Sequence, residues 1–92
     1  MLYLITYDLN RPQQNYTELY NALKSRGAWW HYLDSTWLVK SSEDITTFTN
    51  RIKIEIDNND SLLVIEITND NYKGWLPQKA WDWLRNNIDG QF

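Results

Sequence analysis

Leu2-Tyr3-Leu4-Ile5-Thr6-Tyr7-Asp8-Leu9 sets the architecture of this chain. β-branched, aromatic and leucine residues run unbroken into Asp8, and Asn10-Arg11-Pro12 then breaks the strand. Alternation puts Tyr3, Ile5 and Tyr7 on one side and Leu2, Leu4 and Thr6 on the other. Neither side turns polar before Asp8. The pairs Trp29/Trp30 and Trp37/Leu38 repeat this two-sided character. A sheet built from such strands is expected to bury both faces. The carboxylate at the mouth of the buried strand stands where metal ions and phosphates are commonly handled.

The remaining elements follow from periodicity and capping signals. Asn15-Tyr16-Thr17-Glu18 opens a helix, with Asn15 as cap and Glu18 reaching back. Tyr16, Leu19, Tyr20 and Leu23 form its apolar stripe, Lys24 and Arg26 suit its negative end, and Gly27 suits a left-handed exit. Residues 28–40 read as β structure. Asp34-Ser35 serves either as the turn between two strands or as an irregularity within one long, bulged strand. Ser41-Ser42-Glu43-Asp44 opens a second helix carrying Ile45, Phe48, Ile52 and Ile56; its Arg51, Lys53 and Glu55 read as a solvated face. Asp57-Asn58-Asn59-Asp60 is a turn, and residues 62–68 are a strand with Leu63, Ile65 and Ile67 on the core side. A loop from Asn69 to Trp75 leads to a helix entered at Pro77, with Ala80, Trp81, Leu84 and Ile88 buried and Asp89-Gly90 at its end.

This order predicts an α+β, ferredoxin-like βαββαβ fold with an antiparallel sheet in the order 4-1-3-2 and an added C-terminal helix. Residues 1–92 are expected to form a single domain, with 1–68 as the ferredoxin-like core and 76–89 as the helix. That helix covers part of the second sheet face; a second copy of the chain is expected to cover the rest. The topology also gathers Asp8, Asp34, Ser35 and Thr36 along one edge of the sheet.

Composition narrows the chemistry. In 92 residues, six Trp, six Tyr and two Phe supply the dense core that so short a chain needs. The absence of Cys excludes disulfides, thiolate nucleophiles and zinc–thiolate sites. The apolar runs 1–5 and 62–65 fall far below the ~20 residues of a membrane span, and no basic segment precedes the first. A soluble, cytoplasmic protein without membrane contact is expected. Twelve acidic against nine basic residues give a net charge of −3, which argues against holding nucleic acid by bulk electrostatics while permitting a local basic patch.

Three features together resemble the small CRISPR-associated endoribonuclease family and its relative, virulence-associated protein D, over about residues 1–68. They are the strand ending in Tyr7-Asp8-Leu9, the helix closed by Gly27, and the β segment ending in Ser35-Thr36-Trp37-Leu38-Val39. Tyr7-Asp8-Leu9-Asn10, with residues 27–37, is also similar to a group of short bacterial and phage proteins often labelled SinR-like, although no helix-turn-helix pattern is present. The resemblance implies a ferredoxin-like homodimer in which the aspartate ending the first strand, here Asp8, is paired across the dimer axis and holds a divalent metal for phosphodiester hydrolysis. Asp8 alone carries over by position. The acidic balance, the scattered arginines and the tryptophan-bearing final helix depart from that family's pattern.

Two classes of function follow. The first is a metal-dependent nuclease acting on RNA or DNA, with Mg²⁺ or Mn²⁺ at Asp8 and with Ser35 and Thr36 as hydrogen-bond donors behind it. Asn10, Arg11, Lys24 and Arg26 are then the candidate nucleic-acid contacts. The second is a non-catalytic dimeric binding or regulatory module of a phage, plasmid or toxin–antitoxin system. In that case Asp8 caps the loop at Asn10 or pairs with Arg11, and Ser35 and Thr36 satisfy backbone groups at a turn. His31, the sole histidine, reads as a packed or interface imidazole rather than a general base. Most tryptophans are expected in the core, with Trp75 as the candidate exposed recognition residue.

Overall fold

The computed structural model describes residues 1–10, 16–68 and 71–88. Within them the chain runs β1 (Leu2–Asp8), α1 (Thr17–Lys24), β2 (Trp29–Leu33), β3 (Thr36–Lys40), α2 (Ile45–Lys53), β4 (Ser61–Ile67) and α3 (Gln78–Asn87). The four strands form one antiparallel sheet in the order β2-β3-β1-β4, the predicted arrangement. The expected cap Asn15, the strand-breaking Arg11-Pro12, and the Asp89-Gly90 helix end lie outside the described residues.

β1 is central because it can bury both sides. Toward α1 and α2, Tyr3, Ile5 and Tyr7 pack with Val39 and Trp37 of β3 and with Leu19, Leu23, Phe48 and Ile52. On the opposite side Leu2, Leu38 and Trp30 pack beneath Ala80, Leu84 and Ile88 of the α3 segment. Strand pairing fixes these faces: Ile5 stands opposite Trp37 and Val64, and Leu4 opposite Leu38 and Ile65. One expectation is overturned here. In β4 the residues on the α1/α2 side are Leu62 and Val64, whereas Leu63, Ile65 and Ile67 lie on the other face, where Ile67 packs against the α3 cluster but Leu63 and Ile65 are 53% and 48% exposed. Both sets are apolar, so pairing with β1 rather than hydrophobicity chose between them.

Asp44 caps α2, its carboxylate accepting the Thr47 amide at 2.8 Å, and this bond holds the Asp44 pKa below the usual carboxylate range. The helix ends at Lys53, short of the expected Ile56. Arg51 is not a solvated residue. Its guanidinium donates to both Glu43 carboxylate oxygens (Nε at 3.0 Å, Nη2 at 2.8 Å) and, through Nη1, to the Ala22 carbonyl of α1 at 2.6 Å. The Ala22 bond ties α2 to α1, and the nearly enclosed, bidentate pair with Glu43 holds the guanidinium in place for it.

Gly27 has a role other than the one its position suggests. The α1 C-cap is Ser25, and Gly27 lies two residues beyond it with φ +154°. A Cβ there would stand 2.0 Å from the Lys40 carbonyl oxygen. Glycine is required because the chain leaving α1 passes hard against the end of β3. Asp34-Ser35 is indeed a two-residue turn, since Leu33 pairs with Thr36. No described non-glycine residue has positive φ, so this turn lacks the type I′ geometry that matches strand twist, and a register shift between Trp30 and Leu33 accompanies it.

Candidate active site at the end of the first strand

Asp8 is exposed and stands opposite Ser61 at the end of the central strand. It sits on a rim between two open depressions. One is lined by Thr6, Tyr7, Asp8, Ser61, Leu62 and Leu63. The other is lined by Tyr7, Asp8, Leu9, Tyr20, Asp34 and Ser35. The topology therefore gathers Asp8, Asp34 and Ser35 into one depression. The Ser35 carbonyl accepts the Tyr7 amide at 3.2 Å, which continues the sheet ladder into the turn. Thr36 turns elsewhere: its hydroxyl donates to Thr6 Oγ1 at 3.3 Å, behind the first depression.

The floor of the site is tyrosine. The Tyr7 hydroxyl accepts the Trp37 indole N–H at 2.9 Å in the buried layer under α1. Burial pushes the Tyr7 phenol above its ordinary pKa; the Trp37 hydrogen bond opposes this, and neighbouring Tyr20 and Asp34 reinforce it. A protonated, fixed phenol thus lies beside the carboxylate-bearing rim. Neither Tyr7 nor Tyr20 was singled out as a candidate from sequence. Tyr7 read as strand filling and Tyr20 as helix stripe, and only the topology brings both to Asp8.

The other candidate residues are partly committed. Asn10 closes the turn before β4: its backbone amide donates to Asp60 Oδ1 at 2.8 Å and its side-chain amide donates to the Asn59 carbonyl. Arg26 is exposed and stands 3.5 Å from Glu43. Lys24 holds its ammonium 4.9 Å from the Trp29 ring centroid. Arg11 lies outside the described residues. His31 is exposed, donates from Nε2 to the Asp34 carbonyl at 2.8 Å, and stacks on Trp37 with centroids 3.9 Å apart. Trp29, expected in the core, is 41% exposed, and Trp75 is fully exposed.

A single copy offers a weak metal site. Among the described residues no group of three or more His, Asp or Glu side chains is placed to hold an ion. Asp8 offers one hard-oxygen ligand on an open rim and Asp34 lines the same depression, a sparse set that Mg²⁺, which commonly uses one or two carboxylates, completes with waters and substrate phosphates. The donors among the described residues fit a divalent ion where waters, substrate phosphates or a second chain complete the set.

Among the described residues no helix is long and apolar enough to cross a membrane. No curated protein and no solved structure matches the chain. The family model for CRISPR associated protein Cas2 matches it over residues 1–74, a span that takes in all four strands, both helices of the ferredoxin-like layer and the Asp8 rim. The chain belongs to the Cas2 family.

Proposed function

We propose that this protein is a metal-dependent nucleic-acid phosphodiesterase that acts as a homodimer, with one Asp8 from each copy at the reaction centre. The observation that carries the reading is the place of Asp8: it ends the central strand next to the half of the sheet that α3 leaves open. α3 covers Leu2, Leu38 and Trp30, while Leu63 and Ile65 on the same face remain exposed and Leu63 lines the depression that Asp8 borders. A second copy packed on this open half buries apolar surface and brings the two Asp8 rims toward each other. Membership of the Cas2 family supports the same reading.

The residues then divide the work. Each Asp8 carboxylate supplies a hard-oxygen ligand, and a Mg²⁺ or Mn²⁺ bound there would polarise a phosphoryl oxygen and lower the pKa of a coordinated water. Tyr7, buried and engaged with the Trp37 indole, fixes the floor beneath the rim. Ser35 offers a hydroxyl at the mouth of the same depression. Thr36 positions Thr6 in the other depression, across the Asp8 rim. The wild-type protein is expected to cleave RNA or DNA only with added Mg²⁺ or Mn²⁺. Asp8→Ala should lower that cleavage to background while sedimentation still reports the dimer. Wild-type protein without metal-stimulated cleavage of any nucleic acid would sink the enzymatic reading.

The sparse donor set among the described residues favours a second reading, a non-catalytic dimeric binding or regulatory module of a phage, plasmid or toxin–antitoxin system. The likeness to the SinR-like group is compatible with either. The same experiment separates them: a module retains its dimer and its ligand, yet never cleaves.

A further inference from the structure

The aromatic surface does not stop at Tyr20. On the α1 side of the sheet, Trp37 is 1% exposed because other rings lie over it. His31 stacks on it at 3.9 Å and 15°, Tyr20 at 6.1 Å and 20°, and Trp29 leans on it at 5.5 Å and 47°. The covering rings are themselves open to solvent: His31 is exposed and Trp29 is 41% exposed. Lys24 from α1 holds its ammonium 4.9 Å from the Trp29 centroid and 6.0 Å from that of Trp37. Tyr20, at the other end of the tract, lines the Asp8 depression with Asp34 and Ser35.

We propose that Trp29 and His31, mounted on Trp37 and flanked by Lys24, form a stacking platform for unpaired bases of a single-stranded nucleic acid whose backbone runs past Tyr20 to Asp8. The inference rests on the proposed nucleic-acid function and adds to it the residues that hold the unpaired bases.

The chemistry points to this occupant over others. A chain of net charge −3 gains little from backbone electrostatics alone, so affinity has to come from a term that does not scale with positive charge. Stacking on aromatic rings is such a term, and it is available only to bases that are not stacked within a duplex. The Lys24 ammonium beside the rings suits the phosphate of a stacked nucleotide. The hydrogen bond from His31 Nε2 to the Asp34 carbonyl fixes the imidazole plane and leaves Nδ1 as the ring nitrogen outside that bond. Trp29 covers Trp37 yet leaves 41% of its own surface in solvent on the edge strand β2, an aggregation hazard that a bound base would offset.

The test is fluorescence anisotropy of the full chain with fluorescein-labelled oligo-U RNA and oligo-dT of about 12 nucleotides, and with a duplex of equal length. Chelator is included so that no cleavage intervenes. Single strands should bind more tightly than the duplex. Trp29→Ala should weaken them about tenfold, while Trp29→Tyr, which keeps a ring, should stay close to wild type. Lys24→Gln should flatten the slope of log affinity against log salt by about 0.7. Thermal melts of every variant separate lost folding from lost binding. Equal affinity for duplex and single strand, no binding of either single strand by wild type, or a Trp29→Ala variant that binds like wild type would each overturn the platform and leave these rings as a cover for Trp37. The last result would leave the proposed nuclease standing. Trp29-dependent binding without metal-stimulated cleavage would instead keep the platform and remove the nuclease.

Discussion

On the face toward α1 and α2, Tyr3, Ile5, Leu19, Leu23, Phe48 and Ile52 are completely withdrawn from solvent, whereas on the opposite face Leu63 and Ile65 keep about half of their surface exposed. The contrast extends to polar atoms. The Trp37 indole N–H, on the closed face, donates to Tyr7. The Trp30 indole N–H, on the α3 face, is buried without a hydrogen-bond partner among the described residues. Among the described residues the centre of the first face is closed by α1 and α2, and the second is covered by the short helix α3 over one end. A closed face gives stability, and a half-closed one gives a place for something else to bind. Asp8 sits at the border of the open half.

The largest expected effect lies at the clamp that seals the closed face. Arg51 and Glu43 side chains are only 17% and 11% exposed, so deleting one partner strands a nearly buried charge. Arg51→Met should cost about 2–4 kcal/mol in denaturant unfolding, near the range for breaking a buried pair. The pH dependence carries a sign. The hydrogen bonds from Arg51 are the main cause of the lowered Glu43 pKa. A depressed folded pKa contributes stability that is present above the unfolded value, about 4.3, and is lost as pH falls through the lowered folded one. The wild type should therefore lose stability on acidification below about pH 4–5, and Arg51→Met should show a shallower acid limb. An unchanged acid limb in the variant would show that Glu43 does not depend on this guanidinium.

The next pair compares the two indoles directly. Tyr7→Phe removes the acceptor of the Trp37 N–H and should cost about 1–2 kcal/mol, the penalty for leaving a buried donor unmade. It should also flatten the alkaline limb. The raised Tyr7 pKa means its stabilisation is complete below the unfolded value of about 10 and is lost as pH climbs through the folded one. Trp30→Phe removes an N–H that has no described partner, so it loses volume but no hydrogen bond. The saved desolvation should offset part of the lost packing and hold its cost to about 1 kcal/mol or less. Equal costs for the two substitutions would mean that the faces are equally well satisfied.

These contrasts explain what the sequence disclosed. The sheet order was legible because a strand apolar on both sides, Leu2 to Tyr7, has to lie in the middle, and handedness then places the others. The α2 cap was legible because Asp44 acts on Thr47, three residues away. The misplaced features all depend on partners distant in the chain. Leu63 and Ile65 read as core because hydrophobicity cannot choose between two apolar sides of a strand. Arg51 read as solvated because its partners are Glu43 before the helix and Ala22 on another helix. Gly27 read as a helix exit because the Lys40 carbonyl that excludes a side chain lies thirteen positions on. At the site, Asp8, Asp34 and Ser35 were foreseeable from topology. Tyr7 and Tyr20 were not, since a tyrosine filling a strand and one lining a cavity look alike in sequence.

The smallest effect on folding is expected where the open face is most exposed, and there it should coincide with a large effect on assembly. Leu63→Thr with Ile65→Thr keeps β-branched residues on β4 and removes apolar surface already half in water, so folding stability should move by no more than about 0.5 kcal/mol. If a second copy covers this half of the sheet, the same change takes apolar area out of the interface, and the double variant should sediment as a monomer at concentrations where wild type is a dimer. Two rims of one carboxylate each would then no longer meet. Metal-stimulated cleavage should fall along with the dimer, although Asp8 is untouched. A monomeric variant that still cleaves at the wild-type rate would place the whole site within one chain, and the open face would need a different occupant. A variant that remains dimeric would move the interface elsewhere, away from the surface that adjoins Asp8.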